Sequence, residues 1–318
     1  MDNAIIWNAH GVGNAPTVTS LKQIVSKYNP CLLAILEPMQ PDRKRVSLGL
    51  KLGFHCSFSN GDQGGKVWIY SRNQLNALSV SVSNQMISLS CNFNNLRESL
   101  TLSVVYVQCC KIQRRSLWNE IEALSRTIQE PWAIAGDFNV VASSEERRMS
   151  RALDGSSMAE FSDMIHNSGL LDAGFEGKCF TWCNNREGNA RVWARLDRVL
   201  LNSTWVSQLP LCRVEHLPRI ISDHAPLRPS FPSQEPSKLM EEVFWKQKSR
   251  NSWLQEGDRN TNFFHSSANK RVRRAAITSI RNANGETISS SLGIKAEAIR
   301  FFEELFKAEP ISVNSDFL

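Results

Sequence analysis

The chain has 318 residues, 42% of them hydrophobic, with nine Trp and a formal net charge of +6. This is a globular composition sized for one large domain or two modest ones, and no apolar run approaches the roughly 20 residues of a membrane span. The mild positive charge is compatible with a polyanionic partner and does not by itself establish one.

The eight Cys mostly sit in apolar, strand-like runs, and Cys179 and Cys183 have no matching second pair, so the spacing is not that of a zinc ribbon. Reduced thiols in an intracellular chain are expected. The N-terminus shows no basic segment followed by an apolar run, and no signal peptide is read there.

In chain order, Asn3 to Asn8 reads as a strand ended by the turn-forming stretch Gly11 to Asn14. A helix follows, capped by Thr17 or Thr19, with Leu21, Ile24, Val25 and Tyr28 at helical spacing and Asn29-Pro30 as its stop. Leu32 to Leu36 is a second buried strand that delivers Glu37 at its end. From Phe54 to Val107 the pattern is strands without helices, joined by short turns, which implies antiparallel pairing. A helix is expected over Ser116 to Ile128 and another over Ser156 to Asn167, stopped by Gly169.

Between those helices, Trp132-Ala133-Ile134-Ala135 reads as a buried strand end, and Gly136 allows a sharp turn after it. Asp137 and Asn139, two apart, would leave an extended segment on one face. A carboxylate beside an amide suits a metal-held phosphate, because the one holds charge and the other donates to an oxyanion. Strands then resume at Cys179 to Cys183, Val192 to Leu201 and Cys212 to His216, and Ser222 to Leu227 closes the domain. Two rounds of strands with interspersed helices predict a four-layered α/β sandwich, with two mostly antiparallel sheets face to face and helices outside.

The Pro/Ser-rich stretch near Pro229 to Pro236 marks a boundary, dividing 1–231 from a charged, mostly helical tail over 232–318. In the tail, Lys238 to about Ile280 reads as helical, and a short helix fits Ile294 to Phe306. Lys270, Arg271, Arg273 and Arg274 form a basic cluster that suits phosphates, though a solvated helix face reads the same way.

Polar residues recur at strand ends: Asn8, Glu37, Tyr106, Asp137, Asn139, Asp197, Asp223 and His224. Singly each is an ordinary strand end or turn; jointly they point to one rim of a sandwich. Asn8, Glu37, Gly136-Asp137-Phe138-Asn139, Arg195-Leu196-Asp197 and Ser222-Asp223-His224 occur in the order of the endonuclease/exonuclease/phosphatase superfamily, the group of DNase I and the abasic-site endonucleases. More narrowly, Trp7 to Asn14, Gly177 to Asn184 and the tail stretch Trp253 to His265 resemble the endonuclease region of plant LINE-type retrotransposon polyproteins and the segment leading from it to reverse transcriptase.

The resemblance implies metal-assisted phosphodiester hydrolysis, with DNA nicking as its leading form. Glu37 would ligate Mg²⁺ or Mn²⁺, with Asp223 near the metal. Asp137 would orient or deprotonate the attacking water. Asn8, Asn139 and His224 would bind phosphate oxygens, Tyr106 would support them, and Asp197 would orient His224 and favour its protonated form. His10 stands where cellular abasic-site enzymes carry an acid. No Tyr-x-Asp-Asp polymerase motif occurs before Leu318, so the chain reads as a truncated or domesticated element, with a reverse transcriptase supplied in trans as its partner. Nuclear residence and a monomeric state accompany this reading. The alternatives are a phosphomonoesterase of the inositol-phosphate type on the same fold, or an inactive remnant.

Overall fold

The structure is a computed structural model describing residues 2–72, 75–93, 99–148, 154–209, 212–231, 280–282, 285–288 and 290–305. It divides into two compact units, Met1–Met240 and Glu241–Leu318.

The first unit opens with a β–α–β segment: Asp2–Asn8 (β1), Ala15–Tyr28 (α1) and Leu32–Leu36 (β2), with β1 and β2 parallel. Helix α1 starts before Thr17. Asn14 is the cap, accepting the Thr17 N–H at 2.8 Å, and Pro16 is tolerated in a first turn whose N–H groups lack intrahelical partners. Asn29, with φ 45°, ends it before Pro30. Lys44–Lys51 (α2) is a helix that the sequence reading does not place. Its Gly49 weakens the helical signal, and it is needed because a Cβ there would lie 2.8 Å from the Tyr70 ring.

Cys56–Ser59 (β3) and Val67–Ser71 (β4) follow, then Leu75–Val82 (β5), Met86–Phe93 (β6) and Ser99–Tyr106 (β7). The antiparallel run is there, but it is split: β3 and β4 pair beside β2, while β5 to β7 build a second sheet. Lys111–Ser125 (α3) and Trp132–Asp137 (β8) complete another β–α–β segment, with β7 and β8 parallel.

Arg147–Arg148 (β9), Gly155–Asn167 (α4), Leu171–Asp172 (β10), Glu176–Gly177 (β11), Trp182–Cys183 (β12), Trp193–Ala194 (β13), Asp197–Leu201 (β14), Ser203–Gln208 (α5), Arg213–His216 (β15) and Leu227–Phe231 (β16) finish the unit. The single strand expected over Val192 to Leu201 is thus broken after Ala194, and its halves join different sheets.

The sheets run β11-β15-β16-β1-β2-β4-β3 and β10-β14-β8-β7-β6-β5, with a small third sheet β12-β13-β9. One core lies between the large sheets, joining Ala4, Ile6, Leu32, Ala34 and Leu36 to Leu102, Val104, Ala133, Ala135 and Val199. Outside it, Ile5, Trp7, Leu33 and Ile35 pack on α1 and α2, and Trp132, Ile134 and Leu200 pack on α3 and α4. These central strands are covered on both faces, which is why they read as continuous apolar runs rather than alternating ones. The result is the four-layered α/β sandwich, helices outside, that the pattern predicts.

In the second unit, Ile280–Arg281 (β17) and Thr287–Ile288 (β18) pair antiparallel ahead of a helix over Ser291–Leu305. The helix read from Lys238 towards Ile280, together with Lys270, Arg271, Arg273 and Arg274, lies outside the described residues. Among the described residues no helix is long and apolar enough to cross a membrane.

Candidate active site

Each large sheet contributes a parallel pair of strands, β1 with β2 and β7 with β8, and the C-terminal ends of all four carry polar side chains. Asn8 ends β1, Glu37 follows β2, Tyr106 ends β7 and Asp137 ends β8. Register brings the rest: Tyr106 and Asp197 both sit opposite Asp137 on its two neighbouring strands. Hydrogen bonds cross from sheet to sheet at this rim. Tyr106 donates its hydroxyl to Glu37 Oε1, and Asn8 Nδ2 donates to Asp137 Oδ2 at 3.0 Å.

Asp137 is wholly buried, and its Oδ1 accepts the Asn139 N–H at 2.9 Å. That turn puts Asn139 in left-handed backbone, φ 50°, so its side chain does not leave parallel to Asp137. Its amide instead donates to the Val107 carbonyl at 2.7 Å. Gly136 is not a turn residue either: it lies within β8, with φ 149°, and a Cβ there would stand 2.0 Å from the Val105 carbonyl oxygen. Glycine is required by the close approach of β7.

His224 lies between two aspartates. Its Nδ1 is 2.9 Å from Asp197 Oδ2, and its Nε2 is 3.7 Å from Asp137 Oδ2. Burial opposes the imidazolium, yet the Asp197 and Asp137 carboxylates outweigh it and raise the His224 pKa to about 9. Burial pushes Asp137 up to about 6, against the pull of His224. At neutral pH the pair is therefore carboxylate and imidazolium. With His224 protonated at both nitrogens, its Nε2–H and the Asn8 amide, 3.5 Å apart, are two converging donors. Such a pair is suited to an anionic oxygen, and the one both donors face here is Asp137 Oδ2.

The Ser222-Asp223-His224 loop is tied down from several sides. Ser222 Oγ donates to the Asn8 carbonyl at 2.7 Å and accepts the His224 N–H at 3.1 Å. Trp7 Nε1 donates to the His224 carbonyl, and Trp182 Nε1 donates to Asp223 Oδ2 at 2.9 Å. Thr181, wholly buried, is a further anchor: its Oγ1 accepts the Leu196 and Asp197 N–H groups, and its carbonyl accepts the Ala225 N–H at 2.7 Å. It thereby braces both halves of the Asp197–His224 pair.

Sequence reasoning assigned no role to Thr181, Lys66 or Arg114. Lys66 Nζ lies 3.3 Å from Glu37 Oε1. Arg114 is buried and donates to the Cys109 and Asn139 carbonyls. Nothing in an isolated Thr, Lys or Arg signals such roles, which depend on neighbours far along the chain. His10 Nδ1 is 3.6 Å from Glu37 Oε2 and 3.5 Å from Asp223 Oδ1, so it bridges the two carboxylates. His10, Glu37 and Asn139 all have positive φ, a strained backbone that clusters at functional sites.

Two sets of groups here can hold a metal ion. Asp137, Asp197 and His224 offer one ligand atom each, all within 4.8 Å of one another. Those atoms are already engaged with one another. The Glu37 and Asp223 oxygens, with 10% and 22% side-chain exposure, face a more open space and offer hard oxygen donors.

A four-layered sandwich whose rim gathers an Asp–His pair, a second buried carboxylate, an amide and acidic oxygens defines a class: a DNase I-like hydrolase of phosphate esters. The chain belongs to the Endonuclease/Exonuclease/phosphatase family, whose model matches residues 5–224. Among solved structures, the endonuclease domain of TRAS1, a telomere-specific non-LTR retrotransposon, is similar with a TM-score of 0.56 and 16% identity, over 74% of this chain and 100% of that one. An AP endonuclease from Archaeoglobus fulgidus is similar with a TM-score of 0.57 and 15% identity, over 73% of this chain and 99% of that one. The 3′ phosphatase NExo from Neisseria, bound to a product DNA hairpin, is similar with a TM-score of 0.53 and 16% identity, over 73% of this chain and 100% of that one. At these identities the likeness is one of fold. A search of curated protein sequences returns no match.

Proposed function

We propose that this chain is a divalent-metal-dependent DNA endonuclease of retrotransposon type that nicks one strand and leaves a 3′-hydroxyl. The observation that carries the reading is the Asp137–Asn8–His224–Asp197 network, a buried carboxylate beside two converging donors where the strand ends meet. Glu37 and Asp223 would hold the ion, Mg²⁺ or Mn²⁺. A hard divalent ion held there would neutralise the phosphate and its developing charge.

The chain's own residues do the rest. His224 Nε2–H and the Asn8 amide hold a non-bridging oxygen of the scissile phosphate, and Asp197 keeps the imidazolium oriented. Asp137 takes the proton of the attacking water as its oxygen bonds to phosphorus. The P–O3′ bond then breaks, and the 3′ oxygen takes its proton from solvent. Tyr106 holds Glu37 in place through its hydroxyl, whose own pKa burial and Glu37 push up, so that it stays a donor. Asn139 fixes Asp137 through its backbone N–H and ties the Val107 loop to β8 through its amide.

The test is relaxation of supercoiled plasmid with Mg²⁺ or with EDTA, beside Asp137→Ala and His224→Ala. Relaxation that needs Mg²⁺ and falls by about 10³-fold in each variant is expected. A folded wild-type chain that leaves plasmid intact but releases phosphate from small esters would move the reading to the phosphomonoesterase. One that does neither would make it an inert remnant.

A further inference from the structure

Lys66 is a cation at the rim that none of the roles above uses. Strands β2 and β4 are antiparallel with Leu36 opposite Val67, so the residue before β4 lies against the residue after β2. Glu37 N–H donates to the Lys66 carbonyl at 2.9 Å. Lys66 Nζ stands 3.3 Å from Glu37 Oε1 and 5.2 Å from the centre of the Tyr106 ring.

The turn that presents Lys66 is held in place. Asn60, wholly buried, accepts the Val67 N–H at 2.8 Å and donates to the Ser83 and Asn84 carbonyls. Its own carbonyl accepts the Gln63 and Gly65 N–H groups. Gly65 presses on that side chain so closely that a Cβ would lie 2.1 Å from it. The backbone is therefore fixed while the Lys66 side chain remains 43% exposed at the open rim. An ordinary solvated lysine needs no such scaffold.

Glu37 Oε1 therefore already faces an ammonium, while its Oε2 lies 3.6 Å from His10 Nδ1. A divalent ion that binds Glu37 must displace that ammonium, and the scaffolded turn keeps it at the rim. We propose that Lys66 is a built-in cation of this site, which occupies Glu37 until an ion binds there and then pairs with the scissile phosphate. The inference rests on the nuclease reading and adds a residue to it.

The experiment is Mn²⁺ titration of the full chain without DNA, followed by electron paramagnetic resonance, alongside plasmid nicking. It compares wild type with Lys66→Met, Lys66→Gln and the charge-keeping Lys66→Arg, each checked by thermal melting. Wild type should bind Mn²⁺. Loss of the charge in Lys66→Met and Lys66→Gln should tighten Mn²⁺ by about threefold to tenfold, because a competing cation is gone, while nicking slows by about tenfold or more. Lys66→Arg should keep wild-type ion affinity. A general structural lesion would weaken both properties, so the opposite signs are diagnostic.

A nicking wild type whose ion affinity the Met and Gln changes leave unaltered or weaker overturns the role of Lys66 alone. A wild type that neither binds Mn²⁺ nor nicks overturns the nuclease reading itself.

Discussion

The chemistry of the rim rests on two groups whose proton affinities both rise. Burial raises Asp137 to about 6 and the flanking carboxylates raise His224 to about 9, so the productive pair of Asp137 carboxylate and His224 imidazolium exists between those values. The kcat/KM for nicking should climb as pH rises through about 6, where Asp137 loses its proton, and fall above about 9, where His224 loses its own. Asp197→Asn removes a carboxylate that raises His224, so the descending limb should move to lower pH. A pH–rate profile on which Asp197→Asn leaves that limb in place would assign it to another group. Asp137 is legible in sequence because it ends an apolar run, and His224 because Ser222-Asp223-His224 resembles the family's motif. Thr181, which braces Asp197, is not, because its hydroxyl works on backbone groups that only folding brings near.

At the scale of elements, the rim is held from behind by a buried ionic square. Arg198, 1% exposed at its side chain, pairs with Glu146 at 2.7 Å and Asp172 at 3.0 Å, and Arg195 pairs with the same two carboxylates. This ties the segment before β9 and the strand β10 to β14, the strand that carries Asp197. Burial would push Glu146 and Asp172 up, but Arg198 and Arg195 hold both below the usual carboxylate range. A lowered carboxylate pKa contributes stability above its unfolded value that is lost as pH falls, so melting temperature should drop as pH is lowered below about 4. Glu146→Gln leaves two buried guanidinium groups short of charge and should cost about 3–5 kcal/mol in urea denaturation at pH 7. A loss under about 1 kcal/mol would show the square to be dispensable. None of these pairings is legible locally, since Glu146 and Arg198 stand 52 residues apart and meet only when the chain folds.

For the whole molecule, every residue placed in the site lies in the first compact unit, Met1–Met240. The division at 231 read from the Pro/Ser-rich stretch remains a proposal, and it has a direct consequence. A chain cut after residue 231 should keep its fold and its plasmid nicking rate at low salt. If Lys270, Arg271, Arg273 and Arg274 neutralise phosphates, the cut chain should also bind DNA with a shallower dependence on salt, its slope reduced by about 0.9 for each phosphate left without its cation. An insoluble or inactive 1–231 fragment would show instead that the tail contributes to the catalytic unit.

By itself the sequence determined the layers, because strands covered on both faces must be apolar throughout and the helices that cover them must be amphipathic. It also marked Asn8, Glu37, Tyr106 and Asp137, because strand ends are where an apolar run gives way to a polar side chain, while Asp197, which begins β14, and His224, in the loop before β16, were marked by the family resemblance. It could not divide β3 and β4 from β5 to β7, nor break Val192 to Leu201 between two sheets, since local pattern carries no information about which sheet a strand joins. Only the tertiary structure decided that Asn139 turns away to Val107, that Gly136 serves a close strand approach rather than a turn, and that Lys66 stands against Glu37. Each of those depends on backbone packing between segments distant in sequence, where the physics acts through space and not along the chain.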